Sequence, residues 1–416
     1  MNDVAKNPSQ RGALLAVVLT VFIDLLGFGI VIPLLPIYSE AYGADEISLG
    51  LLFASFSAMQ LIFAPFWGRL SDRFGRRPIL IGGLLGTSAA YVLFGLARGM
   101  PMLFASRLLA GFFGANVPTA QAYIADITTP ENRAKGMGLI GAAFGLGFTF
   151  GPLIGGELVG VGMGVPGFVA AGLSLVAAFV GFRLLIEPKT HAPNRVTRIF
   201  GFETVSDALR QPRIGVVILL YFLAILSFSG FESMFIRFGL ARFPQSFGMD
   251  TSVGKATMDQ IMASAPIAGR YMFFIGLMAA LVQGGLIRRL VPRFGETKLI
   301  IFGPLALGIA MTLIGIASTW HFVLAACVLM PFGFGVNNPS LNSLLSRTTP
   351  PDRQGAFLGL NQSMGSLARV VGPMVGAAAF EYLNPGAPFL LAGFVLGVAT
   401  FMALIYHRHF GSEFSH

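Results

Sequence analysis

The sequence has a single cysteine, Cys327, and five histidines in 416 residues. One thiol cannot close an intrachain disulfide, and it excludes most thiolate metal sites. Cys327 falls inside an apolar run and reads as a buried structural residue. His191, His321, His407, His409 and His416 lie at the ends of apolar runs, in a loop or at the C-terminus. None has metal-ligand spacing on one helix face, so neither a metal nor a cofactor is expected. Charge is scarce as well: 11% of residues are charged, against about 25% in a typical soluble domain. A soluble fold this apolar would leave large greasy patches in water. The net charge of +9 does not point to nucleic acid, because a nucleic-acid binder gathers its basic residues on one water-facing surface. Here they sit in short loops between apolar runs. No nucleophile–base pair, metal cluster or phosphate loop supports an enzyme.

What is abundant is apolar surface and glycine: 55% of residues are hydrophobic and 53 are Gly. A membrane span needs roughly 20 apolar residues. Small residues let such helices approach closely, since no hydrophobic effect drives them together in lipid. Apolar runs place spans at 13–38, 48–70, 79–98, 102–126, 134–159 and 166–186, then at 213–240, 270–292, 298–317, 321–345, 354–380 and 387–407. The expected fold is therefore an all-α membrane protein with twelve transmembrane helices. The first run is too long for a signal-peptide core and lacks a small-residue cleavage site, so it is read as a retained span. The polar, basic stretch 187–212 separates an N-terminal six-helix bundle (1–186) from a C-terminal one (213–416). Within it, residues 203–210 suit a short amphipathic helix at the membrane surface. Residues 244–266 read as the longest outer loop.

The two sets of six resemble each other. Arg69-Leu70 and Arg73-Phe74-Gly75 return as Arg289-Leu290 and Arg293-Phe294-Gly295. Thr128-Thr129-Pro130 with Arg133 returns as Thr348-Thr349-Pro350 with Arg353, Gly114-Ala-Asn-Val-Pro118 as Gly335-Val-Asn-Asn-Pro339, and Gly151-Pro152 as Gly372-Pro373. Four matches in one order, at offsets of 220 to 221 (295 − 75 and 337 − 116), indicate a duplicated six-span unit. An even number of spans makes the repeats parallel, an arrangement found in transporters, and predicts two bundles with a central cavity. Most of the 28 Lys and Arg fall in loops on the side of the termini. Arg98, Arg237, Arg242, Lys255 and Arg270 fall on the other. The positive-inside rule then puts both termini and the linker in the cytoplasm.

Asp24 lies about 11 residues into the first run, roughly 16 Å deep at 1.5 Å per residue. An ionisable group near the bilayer midplane is expensive and marks a functional site by default. It is read as the proton-coupling residue, gaining and losing a proton as water access switches. Arg107, inside the fourth run, keeps its charge and needs an acceptor or water; it is paired with Asp24 in that role. Asn116, Gln121, Glu232, Asn337, Asn338, Asn361 and Arg369 are substrate-cavity candidates, although intramembrane amides more often tie helices together. Glu232 and Arg369 are also placed to pair across helices.

Gly68-Arg-Leu-Ser-Asp-Arg-Phe-Gly-Arg-Arg-Pro78 resembles the loop signature of the major facilitator superfamily. Arg107-Leu-Leu-Ala-Gly111 resembles its fourth-helix motif, and Gly145-Leu-Gly-Phe-Thr-Phe-Gly-Pro-Leu-Ile-Gly-Gly156 resembles the fifth-helix motif of its drug/proton antiporters. Asp24 through Pro36 and Ala122 through Thr128 are similar to the tetracycline/proton antiporter branch. The resemblance implies a conformational latch made of Gly68, Asp72, Arg73, Gly75, Arg76 and Arg77 with Asp126 as partner, the two glycines permitting a tight turn. It implies an antiporter helix carrying Gly145, Gly147, Gly151, Pro152, Gly155 and Gly156, where Pro152 removes a helical hydrogen bond. It also implies a monomer in the lipid bilayer of a bacterial inner membrane, with protons and a small-molecule substrate as partners. The third and ninth runs carry no acidic residue, a departure from the tetracycline pattern. Phe228 through Glu232 and Gly365 through Pro373 look more like homologues of broader range, including organic-anion exporters. The leading expectation is a proton-coupled exporter of small amphipathic compounds; uptake or lipid flipping on the same fold is the alternative.

Overall fold

A computed structural model describes residues 8–128, 130–188, 206–208, 210–250, 256–282, 293–350 and 353–410. Among these residues the chain is helical, with short joins and no strand. Span one runs from Pro8–Val31 through a 3₁₀ turn, Ile32–Leu34, into Leu35–Ala41. Pro33 and Pro36 account for the turn, because each removes a backbone donor from the helical ladder. Spans two and three are Glu46–Phe74 and Arg76–Gly95, joined by one residue, Gly75. Span four is broken into Met100–Phe112 and Asn116–Ile127; spans five and six are Pro130–Val159 and Val165–Leu184.

The second set opens with span seven, Pro212–Arg242. Span eight comprises Met258–Ala263 and Ala265–Leu281, span nine Glu296–Ile316, and span ten Trp320–Cys327 and Met330–Thr348. Spans eleven and twelve are Gln354–Tyr382 and Ala387–Phe410. Eleven of these are long and apolar enough to cross a membrane. Span eleven matches them in length at 29 residues and is more polar, carrying Asn361, Gln362 and Arg369. Leu15, Ile62, Phe179, Phe302, Phe394 and Phe401 are exposed, as suits a surface that faces lipid.

One expectation is corrected. Span eight begins near Met258, so residues 258–266 belong largely to a helix instead of an outer loop. Its start is a capping box in which Thr257 Oγ1 accepts from Gln260 N and the Gln260 side chain accepts from Thr257 N. The amphipathic helix expected over 203–210 falls partly outside the described residues; Ser206–Ala208 and Arg210 are helical, and Asp207 pairs with Arg353 at 2.5 Å.

The chain forms two compact units. The first holds the described residues of 1–44, 55–196 and 255–276, and the second those of 45–54, 197–254 and 277–416. Each follows the same pairing. In the first unit, span one packs on spans five and six, and span three on spans four and six. In the second, span seven packs on spans eleven and twelve, and span nine on spans ten and twelve. The duplication read in the sequence is thus repeated in the packing. Span eight contributes to the first unit and the start of span two to the second. Glycine drives the closest approaches. A Cβ at Gly151 would lie 2.5 Å from the carbonyl carbon of Gly29. In the second unit, one at Gly372 would lie 2.6 Å from the Leu226 carbonyl oxygen. In lipid such contacts hold helices by dispersion and hydrogen bonding.

Candidate functional site

Span four breaks just ahead of Pro118. Proline has no N–H to offer the Gly114 carbonyl four residues back, and its ring collides with that carbonyl. The chain turns at Phe113 through Ala115 and restarts at Asn116. The carbonyls released by the break find side-chain donors on span two. Gln60 Nε2 donates to Gly114 O at 2.7 Å, and Trp67 Nε1 donates to Phe112 O at 2.5 Å. Irregular backbone at membrane depth is tolerated only where its polar groups are satisfied in this way.

Asn116, the first residue after the break, is buried and donates from Nδ2 to Asp24 Oδ2 at 3.1 Å and to Thr87 Oγ1 at 3.4 Å. Asp24 is buried, and its Oδ1 has no hydrogen-bond partner among the described residues. Asn116, read from the sequence as a substrate-cavity candidate, lies beside Asp24. Arg107 is wholly buried. Its Nη2 donates to Ser106 Oγ at 3.1 Å, while Nε and Nη1 make no hydrogen bond to a described residue. The guanidinium stands over Phe94 and Tyr91, 5.5 and 5.8 Å from the ring centroids. Among the described residues it makes no ion pair with Asp24. A desolvated cation on ring faces gains about 2 kcal/mol or more from each ring quadrupole, which is how this one is held.

The loop signature forms a network within the first unit. Arg76 Nη1 lies 2.6 Å from Asp72 Oδ1, and Arg76 Nε lies 2.9 Å from Asp126 Oδ2. Arg76 also donates to Ser71 Oγ at 3.2 Å. Asp72 is largely exposed at 58%, whereas Asp126 is mostly covered, its side chain 9% exposed. Arg73 lies over the ring of Phe74. Gly75 takes φ +102°, a conformation reserved for glycine. The expectation for Gly68 is corrected: it lies inside the span-two helix, with open space where a Cβ would stand. The turn rests on Gly75 alone.

Sequence reasoning missed the anchor of this turn, Glu187. Its Oε1 accepts from Arg76 N at 2.6 Å and its Oε2 from Arg77 N at 3.0 Å. A carboxylate thus caps the N-terminus of span three, where helix donors and dipole both favour an anion. A Cβ on Gly75 would sit 2.6 Å from this carboxylate. Arg77 Nη2 donates to Phe182 O at 2.5 Å, and Tyr123 Oη donates to Ile186 O at 2.7 Å. The end of span six is thereby clasped to spans three and four. No local motif around Glu187 signals this contact, which closes over 110 residues of chain.

The antiporter helix has two glycine faces. A Cβ on Gly147 would lie 2.9 Å from Leu25 backbone, and one on Gly155 would lie 2.4 Å from Ile30 O, so with Gly151 these residues seat span five on span one. Gly156 meets Ala265 O, and Pro152 O meets Gly269, seating the opposite face on span eight within the same unit. A Cβ on Gly145 would meet no described atom within 4 Å.

In the second unit, Arg369 Nη2 donates to Ser366 Oγ at 3.3 Å. Glu232 and Arg369 form no ion pair among the described residues. Asn361 Nδ2 donates to Asn342 Oδ1 at 3.1 Å. Asn337 is buried, and neither its amide nitrogen nor its amide oxygen bonds a described residue; Asn338 Oδ1 is likewise without a partner. Gln121, in the first unit, is exposed. Among the described residues no group of His, Cys, Asp and Glu could hold a metal ion.

The profile of the Major Facilitator Superfamily matches residues 17–293 and 272–414. The class B tetracycline resistance protein of Escherichia coli is 31% identical over 377 residues, covering 89% of each chain. Multidrug resistance protein 2 of Bacillus subtilis is 30% identical over 404 residues, covering 95% of this chain and 96% of its own. The crystal structure of the human organic anion transporter MFSD10 superposes with a TM-score of 0.71 at 26% identity, covering 95% of this chain and all of that one. The nucleoside transporter NupG, at 13% identity and a TM-score of 0.74, covering 96% of this chain and 99% of that one, shares the fold. With its duplicated six-helix packing, its Gly75 turn and these relatives, the chain belongs to the Major Facilitator Superfamily, beside the tetracycline and multidrug resistance proteins, and is a membrane transporter and not an enzyme.

Proposed function

We propose that this transporter is a proton-coupled antiporter that exports small amphipathic organic compounds, organic anions among them, by alternating access. The carrying observation is Asp24: a buried carboxyl in the first span, one oxygen held by Asn116 and the other without a described partner. Water reaching it from outside protonates it; water reaching it from the cytoplasm takes the proton away and permits the next cycle. Arg107 and Arg369, neither in an ion pair among the described residues, favour an anionic or amphipathic substrate. The names of the resistance-protein and organic-anion relatives support the same reading. The chain acts as a monomer in a bacterial inner membrane, and Asp72 with Arg76 and Asp126 serves as the latch between states.

The test is flux in proteoliposomes with and without an imposed pH gradient. A tetracycline, a lipophilic cation and an amphipathic carboxylate serve as probes, chosen by which of them raises the melting temperature of the purified protein, since a ligand stabilises in proportion to its occupancy. Asp24→Asn is expected to abolish gradient-driven flux while keeping binding. Full flux in that variant would make Asp24 structural and move the search to Glu232. Asp72→Asn is expected to insert normally and slow alternation; unchanged flux removes the latch. Exposed positions test the topology: Lys135→Cys should label from the cytoplasm and Gly43→Cys from outside, in a Cys327→Ala background. Labelling of both from one side overturns the orientation.

A further inference from the structure

The polar centre of the first unit differs from its duplicate in a way that isolates what Asn116 does. Asn116 and Asn337 occupy equivalent places, each packed on a glycine of the third or ninth span. A Cβ on Gly83 would lie 2.1 Å from Asn116 Oδ1, and one on Gly303 would lie 2.7 Å from Asn337 Cβ. Gly29 meets Gly151 and Gly230 meets Gly372, which aligns Asp24 with Ile225, five residues before the glycine in each span. Thr87 aligns with Leu307 at the offset of 220 residues (307 − 87). The second copy is therefore apolar at both positions that bond Asn116 in the first, and Asn337 bonds no described residue. Asn337 also sits within a continuous helix, Met330–Thr348, while Asn116 begins one. The break, the threonine and the carboxylate occur together in one copy and are missing together from the other, which keeps the amide with no described partner.

We propose that the break in span four is the device that orients the Asp24 carboxyl, with Asn116 as a positioning residue that holds Oδ2 and leaves Oδ1 as the atom that takes up and gives up the proton. Asn116 acts on Asp24 instead of on the substrate, and this rests on the reading of Asp24 as the coupling residue. The proton arrives from water, forms an O–H bond at Oδ1 and returns to water; nothing is oxidised or reduced. Asn116 can donate to Oδ2 in both states, because that oxygen is a carboxylate oxygen before protonation and the carbonyl oxygen after it. The ionised carboxylate can only accept, which favours the amide nitrogen and not its oxygen facing Asp24; Thr87 Oγ1 accepts from the same Nδ2. Gly83 leaves the space in which Asn116 Oδ1 lies. The other titratable neighbour is Tyr91 of span three, within electrostatic reach of Asp24 and also beneath the Arg107 guanidinium. Spans five and six present glycine and alanine backbone to this stretch of span one, at Gly147, Gly151 and Ala170.

The test is infrared difference spectroscopy of the full chain in lipid, titrated from neutral to acidic pH without substrate. The carboxyl C=O band that vanishes in Asp24→Asn belongs to Asp24. In the parent protein it is expected at the lowered frequency of a hydrogen-bonded carbonyl. Asn116→Val should move it upward, to the position of a free carbonyl. Gly83→Ala should move it in the same direction without removing any polar group, because the added methyl displaces the amide; it serves as well if Asn116→Val does not fold. A band unmoved in a folded variant of either kind overturns the positioning role of Asn116. A missing Asp24 band over the whole titration means that Asp24 does not exchange a proton, and overturns the coupling reading instead.

Discussion

The loops between spans two and three and between spans eight and nine descend from one ancestral loop, and they have diverged in what surrounds their turn glycine. Gly75 and Gly295 both adopt positive φ, +102° and +72°, with extended ψ. At Gly75 the Glu187 carboxylate fills the space and caps the following helix; a Cβ on Gly295 would meet no described atom within 4 Å. In the second copy the acid belongs to the helix itself: Glu296 accepts from Ser343 Oγ and Arg347, at 2.5 and 2.8 Å. Arg133 and Arg353 part in the same manner, the first reaching Ala125 O and the second Asp207. The backbone turn is thus a property of the duplicated unit, and its anchoring is a property of each copy. One copy is tied to the chain leaving span six and the other to the chain entering span seven.

Variants made in matched pairs would break or sharpen this comparison. The largest contrast is in coupling: Asp24→Asn should remove gradient-driven flux entirely, whereas Glu232→Gln in the second unit should keep a flux that responds to the pH gradient. Equal losses in proteoliposomes would erase the distinction between the copies. Next are the turn glycines. Alanine at Gly75 or Gly295 forces a glycine-only conformation at about 1–3 kcal/mol. Gly75→Ala also displaces a charged cap, for about 1.5–3 kcal/mol more, so its thermal melting in detergent should fall further than that of Gly295→Ala. A smaller effect belongs to Gln60→Leu, which leaves the Gly114 carbonyl without its donor; about 1–3 kcal/mol of stability should be lost, read in the same melting assay. The smallest belongs to Asn337→Leu, which should lie within about 1 kcal/mol of the parent, because the amide it removes makes no hydrogen bond to a described residue. A large loss there would show that Asn337 has a polar role of its own.

Much of this architecture was legible in the sequence because membrane helices announce themselves by length and apolarity, and the duplication by motifs repeated in order. Asp24 stood out for the same reason, as an acid inside an apolar run. The capping box at Thr257 and Gln260 was equally readable and would have placed the start of span eight correctly. Glu187, Gln60 and Trp67 were not readable, since each acts on backbone groups far away in the chain, and backbone groups leave no trace in residue identity. Gly68 misled because a glycine beside a loop motif suggests a turn, and only the path of the chain shows that the helix continues through Phe74. Asn116 was noticed for being polar, but its partner could be found only by packing span four on span one.

The break in span four also bears on how the protein enters the membrane. A helix released into lipid with free carbonyls at Phe112 and Gly114 carries polar groups that each cost several kcal/mol in hydrocarbon. Gln60 and Trp67, which satisfy them, lie on span two. Span two is synthesised first, so the donors are available when the broken segment emerges. The fourth span thus has reason to partition together with the second, as an interlocked pair, before it settles among the others.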